Sequence, residues 1–154
     1  MDVLERKPKT WKISFDIKFN GTVPVWSNVL HFTIGQNRGA FGDRTPAVFV
    51  LKNTTRLYIC GSYKTAPNRC ASTETDLEIG TFHHVEIEEK YISPSFHVYA
   101  SKVNGNIIHS WPSNVARCFK AVKVYAGNPW YKPANAVIQN LTYQGGSGDL
   151  VTYC

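Results

Sequence analysis

Two segments of the chain combine residue types that can bind a ligand through hydrogen bonds and ring contacts. The first, "GQNRGAFGDRTP" (residues 35–46), holds three glycines, which let a backbone approach a ligand closely. Asn37, Arg38, Asp43 and Arg44 offer hydrogen bonds, and planar guanidinium groups suit sugar hydroxyls or sulfates. The opposing interpretation is a glycine-rich connection in which an aspartate and an arginine pair structurally.

The same segment also offers hard oxygen ligands for a metal ion. Asp43 and Asn37, together with local carbonyl groups, are candidate ligands for calcium, which prefers oxygen. The regular oxygen spacing of an EF-hand is absent, and no "GK(S/T)" closes the segment as in a phosphate-binding loop. Calcium is therefore the one cofactor that the sequence suggests.

The second segment is "GNPWYKPA" (residues 127–134), which lies between the runs "AVKVYA" and "AVIQNLTY". Its two prolines stiffen the loop and lower the cost of ordering it on binding. We expect Trp130 and Tyr131 to offer an apolar face to a sugar ring, and Asn128 to bind sugar hydroxyls. The alternative is that Trp130 packs inward, as buried aromatic residues commonly do.

Carboxylates and histidines give weaker signals. Glu86 and Glu88 lie two residues apart and share a strand face, and retaining glycosidases use paired carboxylates. A polar strand face exposed to solvent explains this pair better. His83 and His84 are adjacent, so they face opposite sides of a strand and cannot jointly bind a metal. We expect no enzyme, with glycoside hydrolysis as the last alternative.

Alternating patterns predict the elements that position these loops. "WKISFDIKF" places Trp11, Ile13, Phe15, Ile17 and Phe19 on one face, which is typical of a half-buried antiparallel strand. Similar short runs recur, separated by turn residues, and "KVNGNII" predicts a hairpin with a type I′ turn. No segment shows a long helical face. The pattern favours an all-β, antiparallel two-sheet jelly-roll sandwich.

Composition limits the classes of partner. The chain has 154 residues, of which 43% are hydrophobic, so one domain with a sizeable core is expected. The net charge of +6 is spread along the chain instead of forming the basic stripe of a nucleic-acid-binding module. No run is long enough for membrane insertion. A dispersed basic surface suits anionic partners such as sulfated glycans.

Four cysteines, Cys60, Cys70, Cys118 and Cys154, lack the spacing of a zinc site. Cys60 and Cys70 flank a polar loop that can bring two strand ends within bridging range. We expect a second bridge between Cys118 and Cys154, with pairing of Cys154 to a second chain as the alternative. The further alternative is four reduced thiols in a cytosolic protein, and the opening residues lack a signal peptide's apolar core.

Three stretches resemble a known pattern: "GTFHHVEI" (residues 80–87), "FHVYA" (residues 96–100) and "VNG" (residues 103–105). They are similar to paired strands of laminin-G and pentraxin-type domains in the concanavalin A-like superfamily of jelly-roll lectins and glucanases. The glucanase strand carries a third acid where this chain has Lys90. Over most of its length the chain also resembles small secreted invertebrate domains, some of them galactose-binding lectins, with Asn128 where aspartate is expected.

These observations and the resemblance together predict a secreted lectin. We expect one jelly-roll domain (residues 1–143) and a glycine-rich tail (residues 144–154) that ends in Cys154. The two loops would converge at one end or edge of the sandwich to bind galactose-type glycans or glycoproteins, with calcium as a candidate bridge. The alternative is an adhesion or matrix module that binds sulfated glycans or protein. A homodimer is expected because single weak sugar sites gain avidity in pairs.

Overall fold

The computed structural model describes residues 2–145, which form twelve β-strands and, among themselves, no helix. The strands are β1 (Asp2–Lys7), β2 (Trp11–Phe19), β3 (Ser27–Thr33), β4 (Ala47–Val50), β5 (Leu57–Tyr63), β6 (Ala66–Ser72), β7 (Phe82–Ser93), β8 (Phe96–Val103), β9 (Asn106–Ser113), β10 (Phe119–Ala126), β11 (Lys132–Pro133) and β12 (Ala136–Gly145). Within this part of the chain, no helix could cross a membrane.

The strands form two sheets that pack face to face. The larger sheet has the order β1-β10-β3-β4-β5-β6, with β11 also pairing with β3, and the smaller sheet has the order β12-β2-β7-β8-β9. All pairs are antiparallel except the short β11–β3 pair. The protein is therefore an all-β, jelly-roll-like sandwich, as the alternating sequence pattern predicts.

Strand β2 confirms the predicted alternation residue by residue. Trp11, Ile13, Phe15, Ile17 and Phe19 are buried, whereas the four residues between them are only half-buried. They face a main core that the larger sheet supplies from β3, β4, β5 and β10. Burying each large apolar side chain stabilises the fold by about 1.5–3 kcal/mol, so this strand contributes much of the core energy.

The predicted hairpin between β8 and β9 is confirmed. Asn104 and Gly105 have φ angles of 51° and 80°, as the two central residues of a type I′ turn require. The Asn104 amide donates to Nδ1 of His83 at 3.0 Å. His83 is buried and His84 is exposed, so the two histidines face opposite sides as expected.

A second, smaller core lies on the outer face of the larger sheet. In β4, Val48 and Val50 point into the main core, whereas Ala47 and Phe49 point away from it and contact Cys60. All four residues of β4 are buried, so both faces of this strand are covered. A strand that is apolar on both faces needs a cover on its outer side. That cover is supplied by the two loops described below.

A disulfide joins β5 and β6, as predicted. Cys60 and Cys70 are direct partners in the strand register and form a bond with their Cα atoms 4.1 Å apart. Cys118 is also disulfide-bonded. Strand β12 continues to Gly145, two residues beyond the predicted domain boundary, and Cys154 lies outside the described residues.

A buried ionisable pair lies between the sheets. Lys7 on β1 is 1% exposed and Glu89 on β7 is 8% exposed. The indole nitrogen of Trp11 donates to Glu89 at 3.3 Å, and the Lys7 ammonium lies 3.8 Å from the centre of a Trp11 ring. Burial lowers the pKa of Lys7 to about 7 and raises the pKa of Glu89 to about 7. The two charges attract each other, which opposes both shifts.

Candidate functional site

The glycine-rich loop (residues 35–46) folds back over the outer face of the larger sheet. Its entry and exit are held together by backbone hydrogen bonds from Ile34 to the Gly42 carbonyl at 3.0 Å and from Thr45 to the Phe32 carbonyl at 2.9 Å. These hydrogen bonds close the long connection into a loop whose two ends lie side by side. The sequence predicts a site at one end or edge of the sandwich for this loop. The structure places it on the sheet face, because its ends pair with each other.

The NPWY loop (residues 127–133) covers the same face from the other side. Gly127 has a φ of 83°, a conformation that favours glycine, and its amide donates to the Val29 carbonyl at 2.9 Å. The side-chain oxygen of Asn128 accepts hydrogen bonds from the backbone amides of Trp130 and Tyr131, each at 2.9 Å. The loop is thus closed by its own asparagine before it continues into β11 beside β3.

A buried histidine joins the two loops. His31 on β3 is fully buried. Its Nε2 donates to the Asp43 carbonyl at 2.7 Å, and its Nδ1 accepts from the Asn128 amide at 2.8 Å. Burial lowers the pKa of His31 to about 4, so the ring is neutral at pH 7. The loops therefore converge, as predicted, and an uncharged histidine holds them together.

Arg44, near the end of the glycine-rich loop, is the central polar group on the buried side of that loop. It is 5% exposed, and its guanidinium carbon lies 4.6 Å from the centre of the Phe49 ring. Its donors reach the Asn37 carbonyl at 3.1 Å, the Asn37 side-chain oxygen at 3.4 Å and the Asn68 side-chain oxygen at 3.1 Å. These bonds fix the guanidinium plane between the loop and strands β4 and β6.

A groove of about 410 Å³ opens beside Arg44 on this face. Four aromatic rings line it, from Trp26, Phe49, Tyr58 and Tyr131. Three polar side chains complete the lining, from Arg38, Arg44 and Asn68. The groove therefore joins flat apolar surfaces to fixed hydrogen-bonding groups.

The aromatic rings of the groove form two edge-to-face pairs. Trp26 packs against Tyr58 and Tyr131 packs against Phe49, with ring centres 5.2 Å apart in both pairs. The Tyr131 hydroxyl also accepts from the Asn37 amide at 3.4 Å. Trp26 remains 42% exposed, so its indole offers a free surface at the groove. Edge-to-face contacts hold such rings in fixed orientations.

Three of the seven predicted binding residues line the groove: Arg38, Arg44 and Tyr131. Asn37 lies behind them and binds Arg44 and Tyr131. The other three predicted residues sit elsewhere in the loops. Asp43 accepts from the Ala40 amide at 2.8 Å, Asn128 holds its own loop and His31, and Trp130 packs on His31 and Tyr125 while remaining 38% exposed.

Four lining residues were not predicted. Trp26 follows Pro24 in "VPVWSN", and a proline-flanked tryptophan outside the alternating runs is the same signal that identified Trp130. Phe49 and Tyr58 stand opposite each other in the β4–β5 register. Their shared face becomes visible only once that pairing is known. Asn68 belongs to the polar stretch between the bridged cysteines.

The predicted calcium ligands face different partners. The Oδ1 atom of Asp43 is buried without a hydrogen-bond partner, which leaves it as one candidate ligand. The side-chain oxygen of Asn37 faces the Arg44 guanidinium instead. Residues 2–145 contain no group of three acidic, histidine or cysteine side chains that could hold a metal ion.

The paired glutamates lie away from the groove. Glu86 and Glu88 are half-buried residues of β7 in the smaller sheet. Glu86 forms an ion pair with Lys12, and the hydrogen bond from Lys12 lowers the pKa of Glu86. The pair is thus part of a charged strand face on the opposite side of the sandwich from the two loops.

Comparisons with solved structures show the fold. The native heptameric SAP-like pentraxin from Limulus polyphemus is 16% identical, with a TM-score of 0.54 over 93% of this chain and 66% of the pentraxin. The carbohydrate-binding module CBM66 from Bacillus subtilis is 11% identical, with a TM-score of 0.52 over 90% of this chain and 76% of the module.

An enzyme shares the same architecture. A mutant of the alginate lyase Aly36B, solved with an alginate tetrasaccharide, is 15% identical, with a TM-score of 0.54 over 92% of this chain and 71% of the lyase. Among the solved structures that match with a TM-score above 0.5, the chain spans 33% of the binding domain of Botulinum Neurotoxin DC and 76% of CBM66. No family model and no curated protein sequence matches the chain. The chain thus has a jelly-roll-like fold that binding modules, a pentraxin and a lyase share.

Proposed function

We propose that this protein is a carbohydrate-binding protein whose site is the groove on the outer face of the larger sheet. The observation that carries the proposal is the lining of that groove, where Trp26 and Tyr58 stand beside Arg38, Arg44 and Asn68. A sugar ring has an apolar face and a rim of hydroxyl groups. Flat aromatic surfaces next to fixed donors and acceptors match both parts of such a ligand.

Preorganisation supports binding over a merely structural role. Arg44 is held by two asparagines and by the Phe49 ring, and Tyr131 is held by Asn37 and the same ring. Groups that are already ordered lose little conformational entropy when a ligand arrives. The likeness in fold to CBM66 is consistent with this role.

Substitution of two aromatic residues that line the groove tests the proposal. We expect Trp26→Ala and Tyr58→Ala each to weaken saccharide binding by about ten-fold, because each removes about 1.4 kcal/mol of ring contact. Glycan-array screening followed by calorimetry on the best ligand measures the change, and circular dichroism checks the fold. Absence of binding to any saccharide at millimolar concentration would refute the proposal.

Trp130→Ala decides how far the site extends. This tryptophan is similarly exposed but lies outside the groove lining. A loss of affinity equal to that of Trp26→Ala would extend the site along the NPWY loop, as the sequence predicts. Unchanged affinity would confine the site to the groove.

Galactose-type specificity and calcium are separate parts of the proposal. The resemblance to galactose-binding domains motivates the first, and Asp43 Oδ1 is the candidate ligand for the second. Galactose and its epimers, compared by calorimetry, test the specificity. Repeating the titration in a chelator tests the metal, and unchanged affinity would remove calcium from the mechanism.

Localisation and assembly complete the proposal. The Cys60–Cys70 disulfide supports an extracellular protein, because such bonds persist in oxidising compartments. We propose a homodimer, since two weak sites on one particle bind a multivalent surface with higher avidity. Sedimentation equilibrium of the full chain distinguishes a dimer from a monomer.

A further inference from the structure

Arg44 is buried, and no carboxylate in residues 2–145 forms an ion pair with it. Its donors go to oxygen atoms of Asn37 and Asn68, which are neutral. In residues 2–145 the ion pairs are Lys12–Glu86 and Arg56–Asp76, and Asp16 is hydrogen-bonded to His84. None of these contacts involves Arg44 or Arg38. The groove lining holds two guanidinium groups and no carboxylate.

A buried guanidinium group costs free energy of desolvation unless an anion pairs with it. Burial of a charged group removes its hydration, and a buried charge is normally paired. Burial lowers the pKa of Arg44, the Tyr131 hydroxyl opposes this shift, and the charge of the neighbouring Arg38 acts in the same direction as burial. Arg38 therefore adds positive charge to the groove instead of compensating it. A negative group placed between the two guanidiniums would relieve both effects.

We propose, on the basis of the saccharide-binding function above, that the ligand is an acidic saccharide whose carboxylate or sulfate lies against Arg38 and Arg44. The sugar ring then lies on the exposed face of Trp26. Arg38 is exposed, so its planar fork is free to form two parallel hydrogen bonds with the anion. Arg44 lies deeper and supplies a fixed positive field.

The probes differ only in the substituent on one carbon of the sugar. Oligogalacturonate carries a carboxylate at C6, its carboxyl-reduced form is a neutral galactose oligomer, and the 6-sulfated form of that oligomer carries a sulfate. We expect both acidic probes to bind the wild-type protein at least ten-fold more tightly than the neutral probe at low ionic strength. The difference in affinity between the two acidic probes shows whether the groove prefers a carboxylate or a sulfate. Added salt should reduce the preference.

Variants of the two arginines test whether these residues cause the preference for acidic saccharides. Arg38→Gln lies on the surface, so it is expected to fold normally and to reduce the acidic-to-neutral affinity ratio several-fold. Arg44→Lys keeps the charge but loses the planar fork, and it should retain part of the ratio. Arg6→Gln, on the exposed edge strand β1, removes the same charge away from the groove and should leave the ratio unchanged.

The outcomes separate this inference from the proposed function. Equal affinity for the galactose oligomer and the oligogalacturonate would overturn the inference and leave the saccharide-binding proposal intact. A loss of ratio in Arg6→Gln as large as that in Arg38→Gln would assign the effect to net charge and also overturn it. No binding of any of the three probes would overturn the inference, and the glycan array then decides whether the saccharide-binding proposal fails with it.

Discussion

At the scale of single residues, the position of the two loops depends on a buried histidine that must stay uncharged. His31 donates to the glycine-rich loop and accepts from the NPWY loop, which requires the neutral ring with its proton on Nε2. A second proton on Nδ1 would face the Asn128 amide, which is itself a donor. Acidification is therefore expected to separate the loops that frame the groove.

Replacement of His31 tests this dependence. The folded-state pKa of His31 is about 4 and the ordinary value is 6.5, so the unfolded chain binds a proton that the folded protein does not. The free energy of unfolding thus falls as the pH decreases from 6.5 towards 4. His31→Gln keeps a donor and an acceptor but cannot titrate. Across this interval we expect wild type to lose roughly 3 kcal/mol more than the variant in urea denaturation. Equal losses in both proteins would contradict the assignment.

At the scale of elements, the β5–β6 hairpin carries part of the groove. It contributes Tyr58 and Asn68, and its disulfide fixes the two strands in register. Arg44 also contacts the Cys60 sulfur at 3.7 Å. The bridge therefore connects the stability of the hairpin to the position of the ligand-binding groups.

Removal of this bridge should affect both properties. Cys60→Ala/Cys70→Ala releases a loop of ten residues, which corresponds to roughly 2–3 kcal/mol of lost stability in the chain-entropy model. We also expect weaker saccharide binding, because Asn68 and Arg44 lose a fixed neighbour. Urea denaturation and calorimetry measure the two effects. A variant with the wild-type urea midpoint would show that the strand ladder alone holds the hairpin.

The sequence predicts elements better than it predicts the site, for a physical reason. Alternation along β2 reports burial directly, and the Asn104–Gly105 turn needs only local backbone chemistry. The groove depends instead on which strands are neighbours. Phe49 and Tyr58 are ordinary strand residues by pattern, and they become lining residues because the pairing of β4 with β5 places them opposite each other on the outer face.

The loops illustrate the same limit. Each loop lies between consecutive apolar strands, which predicts that the two loops meet, and both bind His31. Arg38, Arg44 and Tyr131 line the groove. Asn128 and Asp43 were expected to face a ligand, but their side chains bind backbone amides of their own loops. A polar loop residue can serve a ligand or close a turn, and its type alone does not distinguish these roles.

At the scale of the whole molecule, the buried Lys7–Glu89 pair links the two sheets. Removal of Lys7 takes away the charge attraction that offsets part of the desolvation of Glu89. We expect Lys7→Met to destabilise the protein by roughly 1–3 kcal/mol and Lys7→Met/Glu89→Gln to recover most of that loss, because the glutamine still accepts from Trp11. A double-mutant cycle in urea measures the coupling. Additive losses would show that the two groups do not interact.

The separation of the two cores has a consequence for how this scaffold diversifies. The interior between the sheets is built by β2 and its neighbours, whereas the groove is built on a small outer cluster centred on Phe49 and covered by two loops. Substitutions of groove side chains such as Arg38 and Asn68 leave the residues between the two sheets unchanged. The specificity of the groove can therefore be altered by substitutions that do not alter the main core.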